Sequence, residues 1–185
     1  MLNNGEYTSI DIICDYKSGV IACAFENGDI FIFKIIKIED KNINIIAKFI
    51  NIDNLPCLSL ANLYNKNSTS SFFAGGFLNG EIKLFRRNIS KGEIKYDLYT
   101  TINSHLRMIN SLTSYKNYLV SCGDDCFINI WKLDEKDEFS INSNIEITDK
   151  MPVGVEFIYN DDKKISLIGT CFDNPAIMII ENLNI

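Results

Sequence analysis

The sequence predicts an all-β fold in which four similar units of short antiparallel strands follow one another along the chain. Short runs of alternating apolar and polar residues recur along its length, and alternation with a period of two is typical of strands. A turn residue followed six positions later by a large apolar residue occurs four times at similar intervals. A strand-built repeat of about 40–50 residues is typical of sheets stacked as blades.

Four turn residues mark the repeat, and they are separated by 52, 46 and 48 positions: Asn27, Asn79, Asp125 and Asp173. Six positions after each turn residue stands an apolar residue: Phe33, Phe85, Trp131 and Ile179. Asn-Gly at the first two turns is a strong hairpin signal, because glycine tolerates the left-handed backbone of such turns. The regular spacing predicts that the four apolar side chains occupy equivalent places in four blades.

These anchors divide the single domain, 1–185, into four units. The first unit, 8–50, reads "TSIDIICD", "VIACAF", "DIFIFKI" and "NIIAKFI". The first strand of the second unit, 56–103, reads "CLSLANLY", and the first strand of the third unit, 105–150, reads "MINSLTSY". The fourth unit, 152–185, offers three strands, the last being "AIMII", and then only "ENLNI". The charged segment "DEKDE" in the third unit is predicted to be a solvated loop.

The composition fits one globular domain with an acidic surface. The chain has 185 residues, 46% of them hydrophobic, which is enough for a sizeable core. Its net charge of -6 argues against the basic surface with which nucleic-acid binders neutralise phosphates. The basic pairs Arg86-Arg87 and Lys163-Lys164 are predicted to lie in ordinary solvated loops. We therefore expect neither a nucleic acid nor a membrane as partner.

No export signal is visible in the sequence. The first residues lack a basic start, and Asp11 and Asp15 interrupt the apolar run that follows. The longest apolar stretch, "IFIFKIIKI", is broken by two lysines and is too short to span a bilayer. The six cysteines are most simply free thiols in a reducing compartment. The expected location is intracellular, in the cytoplasm or the nucleus.

The third unit resembles the WD-repeat (WD40) β-propeller family. Its "SHLRMINSL" stands where the family has a Gly-His segment, and "LVSCGDDCFINIWKL" matches the family's Ser, Asp and Trp positions, with Trp-Lys for the usual Trp-Asp. The resemblance implies about four propeller blades and one buried hydrogen-bond network formed by Trp131, Ser121, His105 and Asp125. Such a network would give the buried indole N–H the acceptor that it needs.

The first, second and fourth units match the family only in the turn and the apolar pattern. They contain neither histidine nor tryptophan, since the single His and the single Trp of the chain both lie in the third unit. Gly75 and Gly169 stand where the third unit has Ser121, which agrees with a lost polar network. We expect these three units to depend on apolar packing alone.

Residues of the third unit could also be read as a metal site or a catalytic site. Cys122 and Cys126 flank "GDD", but no second pair completes the four ligands of a structural zinc. A cysteine nucleophile, or a triad of Ser121, His105 and Asp125, would need an imidazole that is free to act as a base. The network implied by the resemblance already uses that imidazole. We expect no enzyme activity, no metal and no cofactor.

The resemblance implies a non-enzymatic scaffold for protein–protein interaction. In the family, partners bind the face formed by the turns and by the loops before each first strand, often through the residue before the turn residue. On this sequence the candidate face consists of Glu26, Leu78, Arg107, Asp124 and Phe172. The alternative is a propeller that binds a small ligand or a metal in its central channel. Asp11 and Glu156 are the only carboxylates well inside the predicted innermost strands.

Four blades are predicted to form a partial propeller. A propeller hides its sheet edges by closing a ring of 4–8 blades, and the fourth unit here has room for three strands. The segment "MLNNGEY" is a poor candidate for the missing strand. We expect self-association, pairing with a complementary half-propeller, or membership of a larger seven-bladed protein.

Overall fold

The computed structural model describes residues 8–15, 18–37, 42–65, 70–159, 165–181, 183 and 185, and within them it contains fifteen strands and no helix. Blade 1 consists of β1 (Ser9–Asp15), β2 (Val20–Phe25), β3 (Ile30–Lys37) and β4 (Asn42–Phe49). Blade 2 consists of β5 (Cys57–Tyr64), β6 (Ser71–Phe77), β7 (Glu81–Ser90) and β8 (Glu93–Asn103). Blade 3 consists of β9 (Ile109–Tyr115), β10 (Tyr118–Gly123), β11 (Phe127–Leu133) and β12 (Phe139–Glu146). Blade 4 consists of β13 (Pro152–Tyr159), β14 (Ile165–Cys171) and β15 (Asn174–Ile180).

The predicted all-β class is confirmed. Four antiparallel sheets are arranged as a four-blade β-propeller, and in each sheet the strands lie side by side in chain order. The first strands of successive blades pack against one another, β1 on β5, β5 on β9 and β9 on β13. The "MLNNGEY" segment and Lys163-Lys164 lie outside the described residues. No described segment is a helix that could cross a membrane.

Each pair of neighbouring blades shares its own hydrophobic core. The first core joins blades 1 and 2 and includes Val20, Ala22, Ala24, Ile30, Ile32, Leu60, Phe73, Phe77 and Phe85. The second joins blades 2 and 3 and includes Leu63, Phe72, Ala74, Ile82, Leu84, Leu112, Leu119 and Trp131. The third joins blades 3 and 4 and includes Val120, Cys122, Ile128, Ile130, Val155, Phe157 and Leu167.

The period-two alternation of the strands gives every blade two apolar faces. We call the face toward the preceding blade the upstream face and the face toward the following blade the downstream face. In β7, Phe85 packs upstream in the first core, and Ile82 and Leu84 pack downstream in the second. In β11, Trp131 packs upstream and Ile128 and Ile130 pack downstream. An internal blade is therefore apolar on both sides.

The packing does not continue from blade 4 to blade 1. No strand of blade 4 makes more than a marginal contact with a strand of blade 1 within the described residues. The upstream face of blade 1 and the downstream face of blade 4 are consequently left open. We call these two open faces the seam.

The predicted equivalence of Ile179 with Phe33, Phe85 and Trp131 is wrong by one residue. Trp131 pairs with Leu119, two residues before Ser121. In blade 4, Leu167 stands two residues before Gly169, and it pairs with Ile180. A register irregularity between Thr170 and Cys171 accommodates one extra residue in the fourth turn. Ile180 packs against the third core, whereas Ile179 points away from it.

The prediction of a solvated loop is wrong for Arg86-Arg87, whereas "DEKDE" does form a loop, in which one aspartate is buried. Arg86 and Arg87 lie in β7 rather than in a loop, and each forms an ion pair, with Asp137 at 2.8 Å and with Asp15 at 3.3 Å. Asp137, in the segment predicted to be solvated, is only 3% exposed. These ion pairs join blade 2 to the blades on either side of it.

Asp137 is held by polar groups of blade 2. Its carboxylate accepts bonds from Asn65 Nδ2 at 2.9 Å and Ser70 Oγ at 2.6 Å, besides the guanidinium of Arg86. Tyr99 donates its hydroxyl to the Asp137 carbonyl at 2.9 Å. The β11–β12 turn of blade 3 is thereby fixed on blade 2. These contacts span 38 to 72 positions of sequence, so no local pattern could indicate them.

Candidate functional site

The structure brings Trp131, Ser121, His105 and Asp125 together in one chain of hydrogen bonds. The indole Nε1 of Trp131 donates to Ser121 Oγ at 3.2 Å. Ser121 Oγ lies 2.9 Å from Nε2 of His105, and Nδ1 of His105 lies 2.8 Å from Asp125 Oδ1. Since a carboxylate only accepts, Nδ1 of His105 is the donor in its bond to Asp125.

The network also fixes the loop that precedes blade 3. The second oxygen of Asp125 accepts the backbone N–H of Leu106 at 2.9 Å, so the β10–β11 turn is bonded to the 104–108 loop. Asn129 Nδ2 donates to the Ser104 carbonyl at 2.6 Å on the inner side of the same loop. The loop is therefore bonded to blade 3 on both sides of His105, through Ser104 and through Leu106.

Burial decides what this network can do. Ser121 is 0% exposed, and both ring nitrogens of His105 have partners, so no substrate could reach a nucleophile here. A fully satisfied buried polar network rigidifies the structure around it. The arrangement thus acts on the position of the loop and turn.

In blade 1, side-chain hydrogen bonds join the β2–β3 turn to the loop that follows the blade, and these bonds were not predicted from the sequence. Asp29, buried beside the β2–β3 turn, accepts the Asn51 backbone N–H at 2.9 Å. The Asn51 side chain in turn donates from Nδ2 to the Leu55 carbonyl at 2.8 Å. The expectation that blade 1 depends on apolar packing alone is therefore wrong. An aspartate two positions after the turn asparagine, in "NGD", was the available signal.

Turn glycines let the next blade's loop lie directly on two of the turns. Gly28 and Gly80 have φ of +82° and +83°, a region that favours glycine. A Cβ on Gly28 would stand 1.9 Å from the Leu55 carbonyl oxygen, and one on Gly80 would stand 2.2 Å from the His105 carbonyl oxygen. The loops 50–56 and 104–108 therefore lie on the same side of the blades as the turns.

The four predicted pre-turn positions are structurally equivalent. Each donates its backbone N–H to the carbonyl of the residue immediately before the first strand of its own blade, over 2.8 to 3.1 Å. The donor–acceptor pairs are Glu26–Thr8, Leu78–Pro56, Asp124–Met108 and Phe172–Met151. The same bond in four blades places these residues along one side of the propeller.

We call this side the turn face and define it by Leu78 and Phe172 in the turns and by Ile52 and Leu106 in the loops. All four side chains are exposed, Leu106 and Ile52 by 92% and 91%. Ile52 and Leu106 were not predicted from the sequence. Each is an apolar residue flanked on both sides by polar ones, in "NID" and "HLR", which was the available signal.

The charged residues of the predicted face differ from one another in their surroundings. Glu26 and Arg107 are exposed on the turn face beside the apolar side chains. Asp124 is half-buried, and its Oδ1 accepts Asn110 Nδ2 at 2.8 Å. The carboxylate of Asp124 is thus engaged within blade 3, and of the three only Glu26 and Arg107 present their charges outward.

The two carboxylates that were predicted to lie well inside the innermost strands form bonds between or within blades. Asp11 Oδ2 accepts the Leu60 backbone N–H at 2.7 Å, and Glu156 Oε1 accepts the Phe157 N–H at 2.8 Å and the Thr113 hydroxyl. Ser59 Oγ, one blade after Asp11 and at the same register, accepts the Leu112 N–H at 3.0 Å. We call the bonds from Asp11 and Ser59 the inner straps, because each ties one blade to the next.

The cysteines are free thiols in the structure. Burial raises the pKa of Cys122 to about 12 and also raises the pKa of Cys57 above its usual range. These two thiols are therefore protonated near neutral pH, whereas nucleophiles and metal ligands are thiolates. Within the described part of the chain, no three His, Cys, Asp or Glu residues are grouped so as to hold a metal ion.

Comparison with known proteins adds no family assignment. No protein-family model matches the sequence, and a search of curated proteins returned no match.

Proposed function

We propose that this chain is a non-enzymatic β-propeller scaffold of the WD-repeat type that binds protein partners on the turn face. One observation carries the proposal: exposed apolar side chains project at equivalent turn and loop positions of one side of the propeller. Exposed apolar groups gathered on one side of a protein are typical of interaction sites.

The turn face is preorganised for binding. Leu106 follows His105 and has its own backbone N–H bonded to Asp125, so the buried network determines where this side chain stands. Leu78 and Phe172 are likewise held by backbone bonds within their blades. A surface that is already ordered loses less conformational entropy on association, which favours affinity.

The chemistry of the face indicates the kind of partner. Apolar side chains stand beside the exposed acids Glu26, Asp53 and Asp173, and Arg107 is exposed among them. A partner that offers apolar anchors and basic groups would match this face, with at least one acidic group for Arg107.

The resemblance to the WD-repeat family supports the same function through the third blade. The order Trp-Ser-His-Asp implied by the family has the geometry of a bonded network here. A strong third repeat followed by a degenerate fourth also resembles the C-terminal part of WD repeat-containing protein fifty-four, and we derive no partner from that likeness.

Substitutions on the turn face test the proposal. The variants Leu106→Asp and Phe172→Asp each replace an exposed apolar side chain with a charge, which leaves the cores unchanged. Proximity labelling in cells would identify partners of the wild-type chain, and titration calorimetry with the purified partner would measure affinity. We expect each variant to weaken binding at least about tenfold, as for anchor residues at interfaces.

Ile89→Asp is the matched control. Ile89 is equally apolar and exposed, but it stands at the far end of β7, ten residues long, away from the β6–β7 turn. It should leave the affinity unchanged. Partners that bind Leu106→Asp and Phe172→Asp as tightly as the wild type would refute the proposed face.

A further inference from the structure

The downstream face of blade 4 has the residues of an internal blade face but lacks a neighbour. In blade 4, Ile177 and Ile179 of β15 stand opposite Thr170 and Ile168. In blade 3, Ile128 and Ile130 of β11 stand at the same positions, opposite Cys122 and Val120. The same two positions are apolar in all four blades: Ile30 and Ile32, Ile82 and Leu84, Ile128 and Ile130, Ile177 and Ile179. They are 0–1% exposed in blades 1 to 3, and 62% and 57% exposed in blade 4.

The upstream face of blade 1 shows the complementary difference. Ile12 pairs with Cys23 as Leu60 pairs with Gly75 and Leu112 with Ser121, so Ile12, Leu60 and Leu112 are equivalent. Leu60 and Leu112 are 4% and 6% exposed, whereas Ile12 is 62% exposed. Ile10 and Ile45 of the same blade are also exposed, and Phe33, at the position of Trp131, is only half-buried.

The seam consists of one upstream face and one downstream face. These are the two kinds of face that pack together between neighbouring blades. At each of the three internal interfaces a downstream face packs on an upstream face. The seam offers one face of each kind, with the same apolar register as the covered ones. What fits each open face is therefore the opposite face of a propeller blade.

The inner-strap positions at the seam do not require a neighbouring blade. The Ile12 N–H, whose counterparts at Leu60 and Leu112 receive an inner strap from the blade before, is bonded instead to Asp11 Oδ1 at 2.8 Å. In β13 the strap position is Gly154, which has no side chain to accept from a following blade. The seam can therefore be covered or uncovered without leaving the Ile12 N–H unpaired, and the isoleucines on both faces would make the contact apolar.

We propose that a second copy of this chain covers the seam. The downstream face of blade 4 of one copy packs on the upstream face of blade 1 of the other, and the reverse contact forms at the same time. Two four-blade arcs related by a two-fold axis then close one ring of eight blades, within the usual range for propellers.

A second copy is the occupant that the chain's own features favour. It supplies both kinds of face at once, already at the right register, and it leaves the turn face of both copies free. Because the contact lacks the inner straps that join blade 1 to blade 2 and blade 2 to blade 3, it should be weaker than those two interfaces and reversible on dilution.

The first experiment measures the mass of the full chain by light scattering and sedimentation between about 1 and 100 µM. We expect a species of twice 21.1 kDa at the upper concentrations. Ile12→Asp and Ile179→Asp should each raise the dissociation constant at least about 100-fold, because each would bury an unpaired charge at both contacts. Ile89→Asp should dimerise like the wild type, and circular dichroism checks that all variants are folded.

A mixing experiment tests the direction of the contact. When Ile12→Asp and Ile179→Asp chains are combined in equal amounts, one of the two contacts contains neither substitution. We expect a mixed dimer at concentrations at which each variant alone is monomeric. If blade 4 packed on blade 4, Ile12→Asp would have no effect, and if blade 1 packed on blade 1, Ile179→Asp would have none.

The proposal would be overturned if either Ile12→Asp or Ile179→Asp left dimerisation unchanged. It would also be overturned if the mixture dimerised no better than its components. A wild-type chain that stays monomeric at 100 µM would also overturn it and would point to blades supplied by another chain. Masses that keep rising with concentration would mean an open array in place of a closed pair. None of these results would alter the prediction for the turn face.

Discussion

Blades 3 and 4 carry the same pair of isoleucines at the same register of their downstream faces, in β11 and in β15. In blade 3 the pair lies under blade 4 and is buried, whereas in blade 4 the pair faces outward and is exposed. Blade 3 also has the polar network and contacts on both sides. The comparison teaches that the strand sequence specifies which face is apolar, and that the neighbouring blade decides how much stability this face contributes.

The largest difference is expected from removing the same side chain in both blades. Ile130→Ala should lower the free energy of unfolding by about 2–5 kcal/mol, because it deletes apolar contacts and leaves a cavity in the third core. Ile179→Ala should lower it by less than about 0.5 kcal/mol in dilute protein, since its side chain is exposed. Urea denaturation measures both, and equal losses would show that the blade 4 face is covered within a single chain.

A smaller effect is expected from the polar network of blade 3. Asp125→Ala and His105→Ala should each cost about 1–3 kcal/mol, because each leaves a buried partner unsatisfied. The double variant should cost less than the sum, as is usual for residues of one network.

The matched substitution in blade 4 is Asp173→Asn. Asp173 has φ of +51°, which asparagine tolerates, and it takes no part in a Trp-Ser-His network. We expect less than about 0.5 kcal/mol. Strict additivity in the blade 3 pair, or an equal loss at Asp173, would contradict the assignment of stability to the network.

The smallest effect concerns alkaline pH. Cys122 lies where blade 4 has Thr170, and burial raises its pKa to about 12 from 9.0. A raised pKa gives stability that is fully present below pH 9 and is lost as the pH rises toward 12. Between pH 8 and 10, Cys122→Ala should therefore lose about 1.4 kcal/mol less than the wild type. Urea titrations at both pH values measure this, and parallel losses would contradict it.

Much of the fold follows from local sequence, because strand alternation and turn chemistry act over few residues. The turns after Asn27, Asn79 and Asp125 were predictable at the residue level from spacing and from Asn-Gly. The fourth turn was not, because one extra residue shifts the pairing of β15 without disturbing the apolar pattern. In "AIMII" every residue is apolar, so the sequence alone cannot say which ones face the core.

The polar network of blade 3 and the pre-turn positions of the turn face could be named from the sequence, whereas the loop residues of the turn face could not. The positions of His105, Ser121, Asp125 and Trp131 followed from their resemblance to a known repeat. The exposure of Leu106 and Ile52 depends on loops that lie on the turns of the preceding blade, which is a tertiary arrangement. The burial of Asp137 depends likewise on blade 2, whose residues are distant in sequence.

The division of the interior into three separate cores has a consequence for how the chain opens. Each core is shared by two neighbours only, so cooperativity passes from blade to blade as along a one-dimensional array. The amides of β6 and β10 lie in blades clamped on both faces and should exchange with deuterium most slowly. Those of blades 1 and 4 should exchange sooner, through fraying that leaves the middle pair intact. Probes in different blades would then report different melting curves, and the second core would be the last to dissolve.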